Sequence, residues 1–197
     1  MMYAPEIVNT IDTLNTTVRV DTVDRDKAQQ AWPVAENFMP DFRLPSTEME
    51  AVQTSDYHNL RSLVLVFVGE HTTRTPPDLL SELARHYTHI ARESAEVLVV
   101  VRGTPIEAAR FKRCADLPFP VLADEDGQVH RKYGAMAADG RSVSEAVYVT
   151  GRFGKVYLSS RASDGPPLPR AQGILSWLYF IASKCPQCGL HEPFCSW

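Results

Sequence analysis

Four cysteines carry most of the chemistry this chain could do: Cys114 past the middle, and Cys185, Cys188 and Cys195 within the last thirteen residues. Cys185-Pro186-Gln187-Cys188-Gly189 has the spacing of a redox dithiol, which closes a disulfide and passes on two electrons. The same run, Cys-Pro-x-Cys-Gly, has the form of a metal knuckle. His191 and Cys195 would then complete four nitrogen and sulfur ligands to zinc, a set crowded enough that two tails sharing one ion would relieve it. A third reading leaves the thiols unused and holds the tail by packing of Pro193, Phe194 and Trp197. Position speaks against a strongly activated thiol. Cys185 follows the end of an expected helix, where the dipole disfavours a thiolate and Lys184 offsets it only in part.

The elements that must position these groups read as an α/β sandwich. Leu63-Val64-Leu65-Val66-Phe67-Val68 is a continuous apolar run ended by Gly69, and Val97-Leu98-Val99-Val100-Val101 is a second, so both are expected as strands buried on both faces. Between them Pro76-Pro77-Asp78 opens a helix that carries Leu79, Leu80, Leu83, Tyr87 and Ile90 at helical spacing. Thr104-Pro105-Ile106-Glu107 is a capping box for the next helix, to about Arg113. Then come a short extended piece at 118–122, a turn at 124–127 and a short helix at 129–133. An antiparallel hairpin follows at 146–149 and 155–158, and a last helix at about 170–183. Residues 1–35 are expected as an extension, with a helix at about 24–31, and residues 36–184 as the domain. Residues 185–197 form a cysteine-rich tail.

Composition narrows the classes. The chain has 197 residues, 44% hydrophobic and 22% charged, with a formal net charge of −4. That is ordinary for a globular protein with one core, and no basic stripe is present to neutralise nucleic-acid phosphates. No apolar run is long enough to span a bilayer, and residues 1–15 do not read as a signal peptide. A cytoplasmic setting with reduced thiols is therefore expected.

Four stretches between Phe42 and Leu158, or just ahead of them, resemble the peroxiredoxins, the alkyl hydroperoxide reductase and thiol-specific antioxidant family of thioredoxin-fold proteins. They are Pro40-Asp41-Phe42-Arg43-Leu44-Pro45, Thr54-Ser55-Asp56-Tyr57, the strand at 63–69, and Leu117-Pro118-Phe119-Pro120-Val121-Leu122-Ala123-Asp124 with Gly127 and Tyr133-Gly134. The resemblance implies a thioredoxin-like three-layer sandwich with a mixed central sheet, no required cofactor, a thiol reductant or disulfide substrate as partner, and a homodimer.

The site departs from the family pattern. Thr73 matches the family's threonine, but Pro76 stands at the position of its peroxide-attacking cysteine. Peroxide reduction needs an ionised sulfur, and Pro76 and Pro77 also remove two N–H donors from the helix start. The family's arginine just before the hairpin strand has no clean match, Arg141 being displaced. A shallow polar pocket around His71, Thr72, Thr73 and Arg74 is what remains, with His71 reading as a solvated loop residue. Cys114 lies near where some members carry a resolving cysteine. Without a partner in the domain, it reads as a small buried hydrophobe. The expected function is thus a peroxiredoxin-like redox protein with thiol–disulfide or antioxidant chemistry at Cys185 and Cys188, a tail beginning at Ala182 bringing them either to a partner or to the pocket near Thr73. The competing class is a non-catalytic degenerate redoxin, a binding or assembly module whose tail holds structural zinc on Cys185, Cys188, His191 and Cys195.

Overall fold

Alternation along one strand organises the molecule. In the computed structural model, Val64, Val66 and Val68 face one apolar cluster and Leu63, Leu65 and Phe67 another, and all six are buried. A strand covered on both faces has no polar side to keep, hence the unbroken run. The structure describes residues 37–48, 50–69, 78–137, 140–165 and 167–184. The extension at 1–35, with its expected helix at 24–31, the turn at 70–77 and the tail at 185–197 lie outside the described residues.

The strands are β1 (Arg43–Pro45), β2 (Ala51–Gln53), β3 (Ser62–Phe67), β4 (Ala95–Val101), β5 (Val121–Ala123), β6 (Ala146–Thr150) and β7 (Val156–Arg161). The helices are α1 (Asp78–Arg92), α2 (Pro105–Cys114), α3 (Gln128–Lys132) and α4 (Ala171–Ser183). Five strands form one sheet in the order β5-β4-β3-β6-β7, with β3, β4 and β5 parallel and β6 and β7 antiparallel to their neighbours. β1 and β2 pair as a small separate ribbon that the sequence pattern does not reveal, three residues being too few to show a period.

Helices α1, α2 and α4 contribute to one cluster: Leu80, Leu83 and Ile90, then Ala108 and Phe111, then Ile174, Leu175 and Leu178. The other face is covered by β1 and by α3 with the segment after it, through Leu44, Val129 and Tyr133. The expected three-layer sandwich with a mixed sheet is what forms.

The capping box is present in full. Glu107 N–H donates to Thr104 Oγ1 at 3.3 Å, and the Glu107 carboxylate accepts from Thr104 N–H at 2.8 Å. The expectation for Cys114 is corrected: it is exposed. Helix α2 buries Ala108 and Phe111, and Cys114 stands about 120° round the helix from Ala108, at the edge of the core-facing stripe.

Candidate functional site

The sheet has two ends of different chemistry. At one end β3, β4 and β5 all finish, at Phe67, Val101 and Ala123, and β6 begins. We call this the carboxyl end. It holds a cleft of about 270 Å³ whose described lining includes Val68, Gly69, Arg102, Glu125 and Val143. Strand carboxyl ends in α/β sheets are where ligands usually sit, because the loops that follow the strands converge there. Gly69 fits this crowding: a Cβ at its position would lie 3.3 Å from Glu145 Cγ. Arg102 donates from its guanidinium to the Arg141 carbonyl, which fixes the loop before β6 against the end of β4.

Glu145 is the notable group here. It directly precedes β6, where the sequence has no match for an arginine, and its side chain packs against Gly69. Burial holds its carboxyl above the ordinary carboxylate value. Glu145 also lines a surface cleft with Asp78, so it stands near the described residues on either side of residues 70–77. Sequence reading passed over Glu145, because only the sheet register places it next to Gly69.

A second carboxyl at this end belongs to the turn expected at 124–127. Asp124, directly after β5, and His130, in α3, are both fully buried. Asp124 Oδ2 lies 2.7 Å from His130 Nδ1 and accepts from His130 N–H at 2.8 Å. Burial alone would raise the Asp124 carboxyl, but the donors on His130 outweigh it and hold the group below its ordinary value. With Asp124 ionised, Nδ1 carries the imidazole proton and donates. Asp124 Oδ1 and His130 Nε2 have no partner among the described residues.

Phe67 stands edge-on to the His130 ring at 5.3 Å, and Tyr133 and Tyr148 pack on Phe67. Tyr133 donates to the Pro40 carbonyl at 2.6 Å, and the Tyr148 hydroxyl donates to the Tyr133 carbonyl. A pair sealed this way cannot exchange protons with a substrate in the cleft. Its work is to tie α3 to the end of β5. The signal that could have found it is an Asp six residues before a His across a helix start, since Asp accepts readily from helix N-terminal amides.

At the opposite end, which we call the hairpin end, β3 and β4 start and β6 turns into β7. Helix α4 also finishes here: Ile181 and Ala182 share a cleft of about 260 Å³ with Leu60, Ser62, Arg92, Ser94 and Arg152. Lys184, the C-cap of α4, places Nζ 4.7 Å from the Phe180 ring centroid and 5.4 Å from that of Tyr157.

Thr73 and the pocket around His71, Thr72 and Arg74 lie outside the described residues, as do Cys185, Cys188, His191 and Cys195. Among the described residues, no group of three His, Cys, Asp or Glu side chains is arranged to hold a metal ion. Among them, too, no helix is long and apolar enough to cross a membrane.

Known proteins fit this architecture. No curated protein matches the sequence. Among solved structures, the chain is similar to peroxidoxin BcpB from Mycobacterium tuberculosis, with TM-score 0.65 and 19% identity over 76% of this chain and 98% of that one. It is similar to AhpC from Enterococcus faecalis, with TM-score 0.65 and 18% identity over 78% and 99%. The mitochondrial 2-Cys peroxiredoxin from Plasmodium falciparum gives TM-score 0.65 and 14% identity over 75% and 94%. At such identities the likeness establishes the fold alone. The family follows from the sequence: the AhpC/TSA family model matches residues 35–159, well over half of the chain. With no cysteine before Cys114 in the sequence, the chain belongs to the AhpC/TSA family as a peroxiredoxin-like, thioredoxin-fold redoxin without the usual peroxidatic cysteine.

Proposed function

We propose that this protein is a thiol-based oxidoreductase that works through Cys185 and Cys188 rather than at the family's turn. The observation that carries the reading is the distribution of thiols. No cysteine lies between Gly69 and Asp78, Cys114 is single and exposed, and only Cys185 and Cys188 have dithiol spacing.

The step is thiol–disulfide exchange. One thiolate of the pair attacks a sulfur of a disulfide substrate, forms a mixed disulfide and expels the first substrate thiolate. The second thiolate then attacks the mixed disulfide, closes Cys185–Cys188 and expels the other substrate thiolate. The substrate gains two electrons and the tail loses two, and a cellular thiol reductant reverses the change. No cofactor is needed.

The Cys-Pro-x-Cys-Gly form favours a second reading, a non-catalytic assembly module whose tail binds zinc through Cys185, Cys188, His191 and Cys195. One experiment separates them. The reduced full chain is treated with a small disulfide, and intact mass, free thiols and zinc are measured on the same sample. The redox reading expects loss of the mass of two hydrogens and of two thiols, reversed by reductant and abolished by Cys185→Ser with Cys188→Ser. Stoichiometric zinc released only on thiol alkylation, with no reversible disulfide, would overturn it in favour of the zinc module.

A further inference from the structure

The cleft at the hairpin end holds donors that the thiol reading does not use. Its described lining sets Arg92, from the last turn of α1, and Arg152, from the turn between β6 and β7, around Ser62 at the start of β3. Arg152 rests its guanidinium over the neighbouring Phe153 ring at 5.9 Å. Neither guanidinium has a hydrogen bond or ion pair among the described residues, and Glu93, which also lines the cleft, pairs with neither. Ser62 is 8% exposed, and its hydroxyl too has no hydrogen-bond partner among the described residues. Three side chains that can donate therefore face one cleft with no acceptor assigned to them, and an oxyanion is the group that would satisfy all three.

The backbone that carries them is fixed. Ser62 N–H donates to the Ser94 carbonyl at 3.0 Å, and Ser94 N–H to the Ala91 carbonyl at 3.1 Å, which ties β3 to the end of α1. Asn59 N–H donates to the Arg152 carbonyl at 2.8 Å and ties the loop before β3 to the hairpin. Donors held in place before a ligand arrives lose little freedom when it binds.

Charge and size narrow the ligand. Two arginines and one glutamate suit a single negative charge better than two, and the C-terminal end of α1, negative by its dipole, acts in the same direction. Leu60, 69% exposed, and Ile181 supply an apolar side. At about 260 Å³ the cleft has room for more than a bare anionic group but lies below the roughly 300–1,000 Å³ of drug-sized sites.

We propose that this cleft binds a small organic carboxylate. The carboxylate accepts from Arg92, Arg152 and the Ser62 hydroxyl, and a short apolar body lies on Leu60 and Ile181. The site is independent of Cys185 and Cys188, so its failure leaves the thiol reading untouched.

Butyrate is the probe, titrated into the nitrogen-15-labelled full chain at constant ionic strength while amide resonances are followed. The amides of Ser62, Ser94 and Arg152 should shift saturably. Butyramide, of the same size but uncharged, should leave them in place, and inorganic phosphate should bind more weakly than butyrate. Arg92→Gln and Arg152→Gln should each weaken butyrate binding about tenfold or more, and Ser62→Ala about fivefold. Arg85→Gln, on the exposed face of α1 outside the cleft, should change it by less than about twofold. Both cleft arginines are surface residues, so their variants read the site even if Ser62→Ala unsettles β3. No saturation by about 10 mM butyrate, butyramide binding as tightly as butyrate, or equal losses from Arg85→Gln and Arg152→Gln would each overturn the site. Phosphate binding more tightly than butyrate would overturn the carboxylate as its ligand.

Discussion

The carboxyl end and the hairpin end of this sheet both bury polar groups and differ in what they expose. The carboxyl end holds the capping box at Thr104, the sealed Asp124–His130 pair and a cleft beside Gly69, and residues 70–77 carry no cysteine. The hairpin end buries Ser62, Glu96 and Thr150, with Glu96 accepting from Tyr87 and Arg61, and it exposes Leu60, and Phe180 beside the Lys184 ammonium. Buried polar groups brace both ends; the exposed apolar and cationic side chains are what set the hairpin end apart.

The largest expected effect tests the carboxyl end. Asp124→Ala leaves the buried His130 ring N–H and backbone N–H without their acceptor, and each buried donor so stranded costs about 1–3 kcal/mol. Urea unfolding at neutral pH should show that loss. Asp124→Asn keeps an acceptor for His130 N–H and should cost less, about 1–2 kcal/mol. The sharper check is Asp124→Leu with His130→Phe, which removes both partners and should restore most of the stability. If the double variant is as unstable as Asp124→Ala, the pair does something beyond mutual satisfaction.

Thr104→Ala comes next. It removes the side-chain acceptor for Glu107 N–H and is expected to cost about 1 kcal/mol in the same unfolding assay. At the hairpin end, Phe180→Ala removes a half-exposed ring under the Lys184 ammonium and should cost about 0.5 kcal/mol. A loss at Phe180 equal to that at Asp124 would erase the contrast between the ends.

Legibility in the sequence follows the same division. The runs at 63–68 and 97–101 announce buried strands because both faces are apolar, and the Thr104–Glu107 box announces a helix start because both its bonds are local. Asp124 and His130 stay hidden: Asp124-Glu125-Asp126-Gly127 has the composition of a solvated turn, and burial comes in part from Phe67 and Tyr148, which arrive from elsewhere in the chain. The loss of the family's thiol is plain from Pro76. That a carboxyl side chain packs against Gly69 is not, since Glu145 reaches it only through the pairing of β3 with β6. The tail's thiols are obvious as a motif.

The smallest effect sets two carboxyls of the carboxyl end against each other in acid. Asp124 has its folded value below the ordinary 3.8, so its stabilisation is present above that value and is lost as pH falls through the lowered one. Glu145 has its folded value above the ordinary 4.5, so its contribution is fully present below 4.5 and is lost as pH rises through the raised one. Between pH 6 and pH 3, protonation of Glu145 therefore gives back part of what protonation of Asp124 removes. Glu145→Gln deletes the compensating group. The variant should be at least as stable as the unaltered chain at pH 7, where it no longer holds a half-buried carboxylate, and should lose stability more steeply on acidification. Urea midpoints taken across that range read the slope directly; parallel curves would mean that Glu145 is as well solvated in the folded chain as in the unfolded one.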